Sequence, residues 1–133
     1  MSKYLLDTDI CIFFLRGKYD LVDKIENIGK DNCYVSIITI AELRFGAENS
    51  QNIEKHLEEV EFFEQNFAVL PVDKALPFYA KEKARLRKIG NPVAEFDLLI
   101  ASTAIANNLK MVTRNTKHFQ RIQQIELEDW TNQ

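Results

Sequence analysis

The chain has 133 residues, of which 46% are hydrophobic and 28% charged, which is typical of one globular domain over residues 1–133 and excludes a disordered or fibrous protein. Its 17 basic and 20 acidic side chains give a formal charge of −3, so any surface that binds nucleic acid has to be local. No apolar run approaches the roughly 20 residues of a membrane helix and the first residues lack a signal-peptide core, so we expect a cytoplasmic protein with no membrane partner.

Short apolar strands alternate with helical stretches along the chain. A first strand is predicted at Tyr4 to Leu6, followed by a helix that Thr8 caps and that runs to Leu15. Cys11 and Cys33 lie in apolar runs and are expected to be reduced core thiols. The later elements are a helix with Leu21, Ile25 and Ile28, a strand from Cys33 to Ile37, a helix capped by Thr39, a helix with Ile53, Leu57 and Val60, a strand from Phe67 to Val72, helices from about Lys74 to Ile89 and Ala94 to Ala106, and strands at Met111 to Thr113 and Ile125 to Leu127.

This alternation predicts an α/β fold, in which helices cover both faces of a parallel sheet. Such sheets bind their ligands beyond the carboxyl ends of the strands. Asp7 stands at that end of the first predicted strand, although an Asp there is also a common way to leave a strand. Asp9 follows two residues later and either shares the site or favours the helix N-terminus.

Two further acids lie in apolar helices. Asp97 is the only ionisable residue between Phe96 and Ala106, and an unpaired buried carboxylate is costly without a partner or a metal. The alternative for Asp97 is a first-turn acid favoured by the helix dipole. Glu42 stands between Ala41 and Leu43, and its alternative is a solvated helix face.

Taken together, Asp7, Glu42 and Asp97 predict a metal site. Clustered carboxylates repel one another unless a cation neutralises them, and oxygen ligands select Mg²⁺ or Mn²⁺. Such a site can hold a phosphodiester and activate a water for attack. Asn115, just after Thr113, is a candidate neutral ligand or water-orienting group. The repulsion also predicts that Asp97→Asn raises the melting temperature of the metal-free protein.

The acidic segments resemble the four motifs of PIN-domain nucleases, and the C-terminal segments resemble those of VapC toxins from bacterial toxin–antitoxin pairs. The resemblance covers about Tyr4 to Trp130, and the order and spacing of the motifs carry it. The motifs are Leu5-Leu6-Asp7-Thr8-Asp9, Ala41-Glu42-Leu43, Phe96-Asp97-Leu98-Leu99-Ile100-Ala101, Val112-Thr113-Arg114-Asn115, Thr116-Lys117-His118-Phe119-Gln120-Arg121-Ile122 and Leu127-Glu128-Asp129-Trp130.

The resemblance implies a three-layer α/β/α sandwich and an endoribonuclease with Mg²⁺ or Mn²⁺ at the acids. It also implies an RNA substrate, either tRNA or another structured RNA such as a ribosomal RNA loop, together with a cognate antitoxin and a homodimer. The apolar stretch from Ile10 to Leu15 is a candidate for one of these protein interfaces. Many family members have an acid where this chain has Asn115, and Asn is common where it has Asp9. Glu95 is a candidate to replace the missing acid, and Thr8 and Thr113 are candidate supporting residues.

Two groups of basic residues are candidates for RNA binding. One group shares a face of the predicted fifth helix, where the alternative is a solvated flank. The other follows Asn115 in sequence, and within it His118 has packing against Phe119 as its alternative. The two groups are Lys81, Arg85 and Lys88, and Arg114, Lys117, His118 and Arg121.

Two other functions remain open at this point. Asp7 and Asp9 after an apolar strand also resemble the nucleophile motif of haloacid-dehalogenase-like phosphatases. A non-enzymatic receiver domain has a similar size and would use Asp73 after the third strand as its phosphate acceptor. The phosphatase alternative explains neither Glu42 nor Asp97, and the receiver alternative needs a lysine after its last strand, for which Thr113-Arg114-Asn115 is a poor match.

Overall fold

The computed structural model describes residues 2–131 and contains a five-stranded parallel sheet between two layers of helices. Two short 3-10 turns, Lys30–Asn32 and Asp73–Ala75, connect longer elements. The elements in chain order are β1 (Tyr4–Leu6), α1 (Thr8–Leu15), α2 (Leu21–Ile28), β2 (Cys33–Ser36), α3 (Ile37–Glu48), α4 (Ile53–Asn66), β3 (Ala68–Leu70), α5 (Leu76–Lys88), α6 (Glu95–Ala106), β4 (Lys110–Val112), α7 (Thr116–Phe119) and β5 (Leu127–Glu128).

The central strand β1 separates two hydrophobic cores. Successive side chains of a strand point to opposite faces, so the fully buried Leu5 and Leu6 belong to different cores. Leu6 packs with α1, α2, α3 and α4, where Phe63 and its aromatic neighbours fill the layer. Leu5 packs with residues of α5, α6 and α7, including Ile100. The predicted α/β/α sandwich is therefore confirmed.

The strand order β3-β2-β1-β4-β5 brings the ends of β1 and β4 together. Leu6 is in register with Val112, and the backbone N–H of Asp7 donates a hydrogen bond to Val112 O at 2.9 Å. Thr113 comes directly after β4, as Asp7 comes directly after β1, and its backbone N–H donates to Glu128 O at 3.0 Å. Because all strand pairs are parallel, the residues after each strand meet at one edge of the sheet.

Several predicted boundaries were wrong by a few residues. Asp7, not Thr8, caps α1, because its side chain accepts the Thr8 N–H. Ser36 ends β2 and caps α3 by accepting the Ile38 N–H at 3.0 Å, so the predicted Thr39 cap lies inside the helix, fully buried. A short polar residue between a strand and a helix serves both elements, and the sequence pattern does not say which of several neighbouring residues it is.

The predicted thiols are confirmed, since Cys11 and Cys33 are both free and buried. Within residues 2–131, no helix is both long enough and apolar enough to cross a membrane.

Candidate active site

Asp7 is held rigidly at the junction of β1 and α1. Its Oδ1 accepts a hydrogen bond from the Thr8 N–H at 2.8 Å, and its Oδ2 accepts one from the Thr113 hydroxyl at 2.8 Å. Asp7 is 6% exposed and Thr113 is fully buried. The register of β1 and β4 thus fixes the direction of both carboxylate oxygens.

The charge of Asp7 is destabilised by its surroundings. Burial is the main reason that the pKa of Asp7 rises from 3.8 to about 7, and the negative charge of Asp9 adds to it. Asp97 contributes a smaller electrostatic effect in the same direction, while the hydrogen bonds from Thr113 and Thr8 oppose the rise. A carboxylate in this state is one that a nearby cation would stabilise.

Asp9 ties the segment after β4 to the start of α1. It accepts hydrogen bonds from the Ile10 N–H at 2.7 Å and from the Arg114 N–H at 3.1 Å. Burial raises the pKa of Asp9, with a smaller contribution from the charge of Asp129. We did not predict Asp129 as part of the acidic site. Its position just after β5, at the same sheet edge, is the signal that identifies it.

Glu42 joins this group through hydroxyl groups. The Thr8 hydroxyl donates to Glu42 Oε1 at 2.6 Å and lies 3.0 Å from the Thr39 hydroxyl. Thr8 therefore links α1 to α3. Its backbone N–H binds Asp7 and its hydroxyl binds Glu42, so the two carboxylates contact the same residue. The supporting position predicted for Thr8 is consistent with this geometry.

Asp97 lies in the first turn of α6, with 34% of its side chain exposed. Its Oδ2 is 3.1 Å from His118 Nε2. His118 Nδ1 is in turn 2.7 Å from Arg121 Nη2. His118 also packs edge-on against Phe119, with ring centroids 4.9 Å apart, so it has both the polar contact and the packing role that the sequence left open.

Glu95 is directed elsewhere. Both of its carboxylate oxygens accept from Lys83 Nζ of α5, at 2.9 and 2.8 Å, and one accepts from the Tyr79 hydroxyl. About half of the Glu95 side chain is exposed. These contacts do not bring Glu95 to Asp7, and they give no support to the hypothesis that it replaces a missing acid.

Asn115 is exposed and follows Thr113 at the sheet edge. Its backbone N–H donates to the Thr113 hydroxyl at 3.1 Å, which positions that hydroxyl for its own bond to Asp7. Within the described residues its side chain caps nothing at the start of α7. Asn115 therefore lies at the sheet edge beside Thr113 with an exposed side chain, and its role toward water or a cation stays a prediction.

Some of the predicted RNA-binding cations form hydrogen bonds within the fold. Arg85 donates two hydrogen bonds to the buried Glu82, at 2.8 and 2.6 Å, and a third to Arg121 O at 2.8 Å. Arg121 contacts His118 and Asn91. These two guanidinium groups therefore have structural partners, which the sequence did not reveal. The other side chains of the two groups that lie exposed are Lys81, Lys88, Arg114 and Lys117.

Arg114 is exposed yet ordered against aromatic rings. Its guanidinium lies 5.7 Å from the ring centroid of Phe13 and 5.2 Å from that of Tyr19, and it donates to the Tyr19 hydroxyl. Because its backbone N–H binds Asp9, this cation stands beside the acids. It is a suitable contact for a phosphate entering the site.

The acidic residues in the described part of the chain offer the oxygen ligands that a divalent cation prefers, although they do not form a complete coordination site. Within residues 2–131, no three His, Cys, Asp or Glu side chains stand close enough to form a complete site as they are placed. The donors are all oxygen atoms, which suits Mg²⁺ or Mn²⁺, and Mg²⁺ retains several waters rather than needing an all-protein cage. A cation bound there would offset the charge of Asp7, whose pKa is raised by burial and by the charge of Asp9.

A PIN-domain family profile matches residues 4–125. The chain belongs to the PIN-domain family. Among the relatives of this PIN domain, the tRNA(fMet)-specific endonuclease VapC of Shigella flexneri is 37% identical over 132 residues, which cover 98% of this chain and 100% of that protein. Ribonuclease VapC1 of Haemophilus influenzae is 34% identical over 131 residues, which cover 96% and 98% of the two chains.

Solved structures agree with these relatives. The crystal structure of DNA-bound VapBC from Salmonella typhimurium matches with a TM-score of 0.90 at 37% identity, covering 98% of this chain and 99% of that one. VapBC2 from Rickettsia felis, bound to a promoter DNA fragment, matches with a TM-score of 0.89 at 31% identity, covering 97% and 99%. This PIN domain is therefore an endoribonuclease of the VapC group, as predicted.

The two alternative functions are not supported. The sheet order β3-β2-β1-β4-β5 differs from the order 2-1-3-4-5 of receiver domains, and Asp73 lies in a 3-10 turn after the edge strand β3. The phosphatase alternative would leave Glu42 and Asp97 without a role, and the family match over residues 4–125 is to the PIN domain.

Proposed function

We propose that this PIN domain cleaves RNA at a site built on Asp7, Glu42 and Asp97, with Mg²⁺ or Mn²⁺ as cofactor. The observation that carries the proposal is the buried Asp7 at the carboxyl edge of the sheet, whose charge is destabilised by burial and by the nearby charges of Asp9 and Asp97. The bound cation would stabilise charge on the phosphodiester and favour deprotonation of the attacking water.

The chain's own groups would prepare the site for this chemistry. Thr113 and the Thr8 N–H hold Asp7, and the Thr8 hydroxyl holds Glu42, so two of the three carboxylates are fixed before any ligand arrives. Preorganised charges of this kind lower the reorganisation needed in the transition state. Asn115 would orient water at the rim, and Asp9 would keep the loop after β4 against α1.

RNA would approach over the exposed cations near this edge. Arg114 and Lys117 are exposed beside Asn115, and Lys81 and Lys88 are exposed on α5. We take tRNA as the substrate class, because relatives from Shigella flexneri and Salmonella typhimurium carry the name tRNA(fMet)-specific endonuclease. The cytoplasm is the compartment that this substrate implies.

A protein antitoxin is the proposed partner, since the structural relatives are VapBC complexes. A groove of about 590 Å³ lies between α1, α3 and α4, and Ile12, Val60, Arg16, Glu42 and Lys55 are among the residues that line it. Because Glu42 belongs to both the groove and the acidic site, an antitoxin segment in the groove would also cover the active site.

A homodimer is the proposed oligomeric state. Exposed apolar side chains at the starts of α3, α5 and α6 offer a contact surface for it. These side chains are Ile37, Leu76 and Phe96. Sedimentation of a monomer at high concentration would contradict this part of the proposal.

The test is cleavage of a tRNA pool by the purified chain, in Mg²⁺, in Mn²⁺ and in EDTA, with the RNA ends sequenced. Asp97→Asn and Glu42→Gln are expected to abolish cleavage. Asp73→Asn and Glu58→Gln make the same chemical changes at exposed positions outside the site and are expected to keep it. Cleavage that persists in EDTA, or in the Asp97→Asn variant, would refute the proposed site.

A further inference from the structure

His118 stands between a guanidinium group and the carboxylate of Asp97. Its Nδ1 is 2.7 Å from Arg121 Nη2, and its Nε2 is 3.1 Å from Asp97 Oδ2. The side chain is 21% exposed and its ring packs edge-on against the buried Phe119. The three side chains therefore form one connected row that ends on a proposed metal ligand.

The chemistry of the row fixes where the imidazole hydrogen lies. An arginine side chain has only donors, so His118 Nδ1 has to accept from Arg121. A neutral imidazole that accepts at Nδ1 carries its hydrogen on Nε2, so His118 donates to Asp97 Oδ2. Arg121 thus determines the tautomer, and the tautomer supplies the donor.

The far end of the row is anchored in the fold. Arg121 Nε donates to His118 O at 2.9 Å, and Arg121 O accepts from Arg85 Nη2 at 2.8 Å. Arg85 is held by Glu82, which is 3% exposed and also accepts the Gln123 N–H at 2.7 Å. The row is consequently supported by α5 and not by a loose surface loop.

We infer that His118 is a positioning residue for Asp97: in its Nε2-H tautomer it holds Oδ2 by a hydrogen bond and leaves Oδ1 available to the divalent cation. The inference rests on the proposed function, in which Asp97 is a metal ligand. Within residues 2–131, His118 is the only side chain that forms a hydrogen bond with Asp97. Without it, a first-turn carboxylate that is 34% exposed would be free to change rotamer.

This role predicts a specific pattern of substitutions. His118→Phe keeps a ring of similar shape against Phe119 but removes the donor to Asp97. His118→Gln keeps a donor and an acceptor at the end of a side chain of similar reach. Hydrogen-bond partners of metal ligands usually contribute 10- to 100-fold to metal affinity. We therefore expect His118→Phe to weaken cation binding about tenfold or more, and His118→Gln to stay within about threefold of wild type.

The experiment measures Mn²⁺ binding to the full chain without RNA, by the electron paramagnetic resonance signal of free Mn²⁺. Wild type, His118→Phe, His118→Gln and Asp97→Asn are titrated at one pH, and unfolding curves in EDTA check that each variant is folded. Separately, ¹⁵N-detected imidazole correlations, recorded where the ring is neutral, report the tautomer of His118 in wild type and in Arg121→Met. We expect the Nε2-H form in wild type and a loss of that preference in Arg121→Met.

The outcomes separate this inference from the proposed function. Weak binding in His118→Phe with recovery in His118→Gln supports the positioning role. Wild-type affinity in folded His118→Phe overturns it while leaving the metal site intact, provided that Asp97→Asn still loses binding. Loss of binding in His118→Gln with wild-type affinity in His118→Phe assigns a packing role to the ring instead, because Phe keeps the ring against Phe119 without the donor. Absence of Mn²⁺ binding in wild type, or unchanged binding in Asp97→Asn, refutes the proposed site and the inference together.

Discussion

Replacing Asp7 by Asn is expected to stabilise the metal-free protein at neutral pH. Burial, together with the charges of Asp9 and Asp97, raises the pKa of Asp7 from 3.8 to about 7. Since each pH unit between two pKa values corresponds to about 1.36 kcal/mol, the charged side chain costs the folded state about 4 kcal/mol at most. Asn keeps the shape and caps a helix as well as Asp does.

The sign of this effect depends on pH. Below about pH 4 the carboxyl is protonated in both the folded and the unfolded chain, so Asp7 costs nothing. Between pH 3.8 and about 7 the unfolded chain loses the proton while the folded one keeps it, and the free energy of unfolding falls as pH rises. Above about 7 the cost is complete, and Asn removes it.

Urea unfolding in EDTA across this pH range is the assay. At about pH 8 we expect the variant to exceed wild type by about 2–4 kcal/mol, or roughly 6–12 °C in melting temperature, with most of the gain lost by about pH 5. Excess Mg²⁺ should narrow the gap, because a ligand of the folded state stabilises wild type by mass action. A variant less stable than wild type at about pH 8, or a difference that does not change with pH, would refute the reasoning.

Three other outcomes follow from the same contacts. Asp7→Asn, Glu42→Gln and Asp97→Asn should each lower the cleavage rate at least ~10²-fold, measured in single-turnover assays, because residues acting as one unit are each indispensable. Glu82→Gln should lower the free energy of unfolding by about 2 kcal/mol at neutral pH, since it loses charge-assisted bonds to Arg85. Arg85 lowers the pKa of Glu82 below its ordinary 4.5, so this loss should be seen above that pH and shrink as acid protonates the wild-type carboxyl; a loss that persists unchanged in acid would contradict it. Gly46→Ala should raise the free energy of unfolding by about 0.5–1 kcal/mol, measured by thermal unfolding, because Gly46 lies inside α3 with open space at the added methyl group. A variant less stable than wild type would contradict this prediction.

The placement of the acids was predictable because it depends on local patterns. Apolar strands that alternate with helices define a parallel sheet, and the residues after its strands meet at one edge. Asp7 directly follows β1, so its position there required only the end of one strand. Glu42 and Asp97 were identified because each is an acid within an otherwise apolar segment.

The support for these acids was not predictable, because it comes from residues distant in sequence. His118 reaches Asp97 across 21 positions, Arg85 reaches Arg121 across 36, and Thr113 reaches Asp7 across 106. A single sequence gives the type of each residue but not its partner. The sequence therefore predicted Arg85 and Arg121 as RNA contacts and did not indicate that Glu82 is buried, because that burial depends on the packing of α5 against the segment after α7.

The structure also indicates which acid carries the largest electrostatic cost in the metal-free protein. The sequence predicted that Asp97→Asn would relieve repulsion in the metal-free protein. Asp97 is 34% exposed, lies in the first turn of α6 and contacts His118, so we now expect Asp97→Asn to have a smaller effect than Asp7→Asn. Asp7 is the buried member, and burial, followed by the charge of Asp9, raises its pKa, with a smaller effect from Asp97.

Contacts within the fold occupy some of the cations that were predicted to bind RNA. Arg85 is paired with Glu82, Arg121 binds His118 and Asn91, and Lys83 is paired with Glu95, so these cations stabilise the fold. Lys81, Lys88 and Lys117 form no ion pair within residues 2–131, and Arg114 is the exposed cation held beside the acids. Nonspecific affinity for nucleic acid grows with the number of phosphates neutralised, and the two predicted RNA-binding groups keep only Lys81, Lys88, Arg114 and Lys117 as exposed cations for it. An RNA that binds here must therefore draw much of its affinity from the acidic site and its cation, which favours recognition of one phosphodiester over retention of any polyanion.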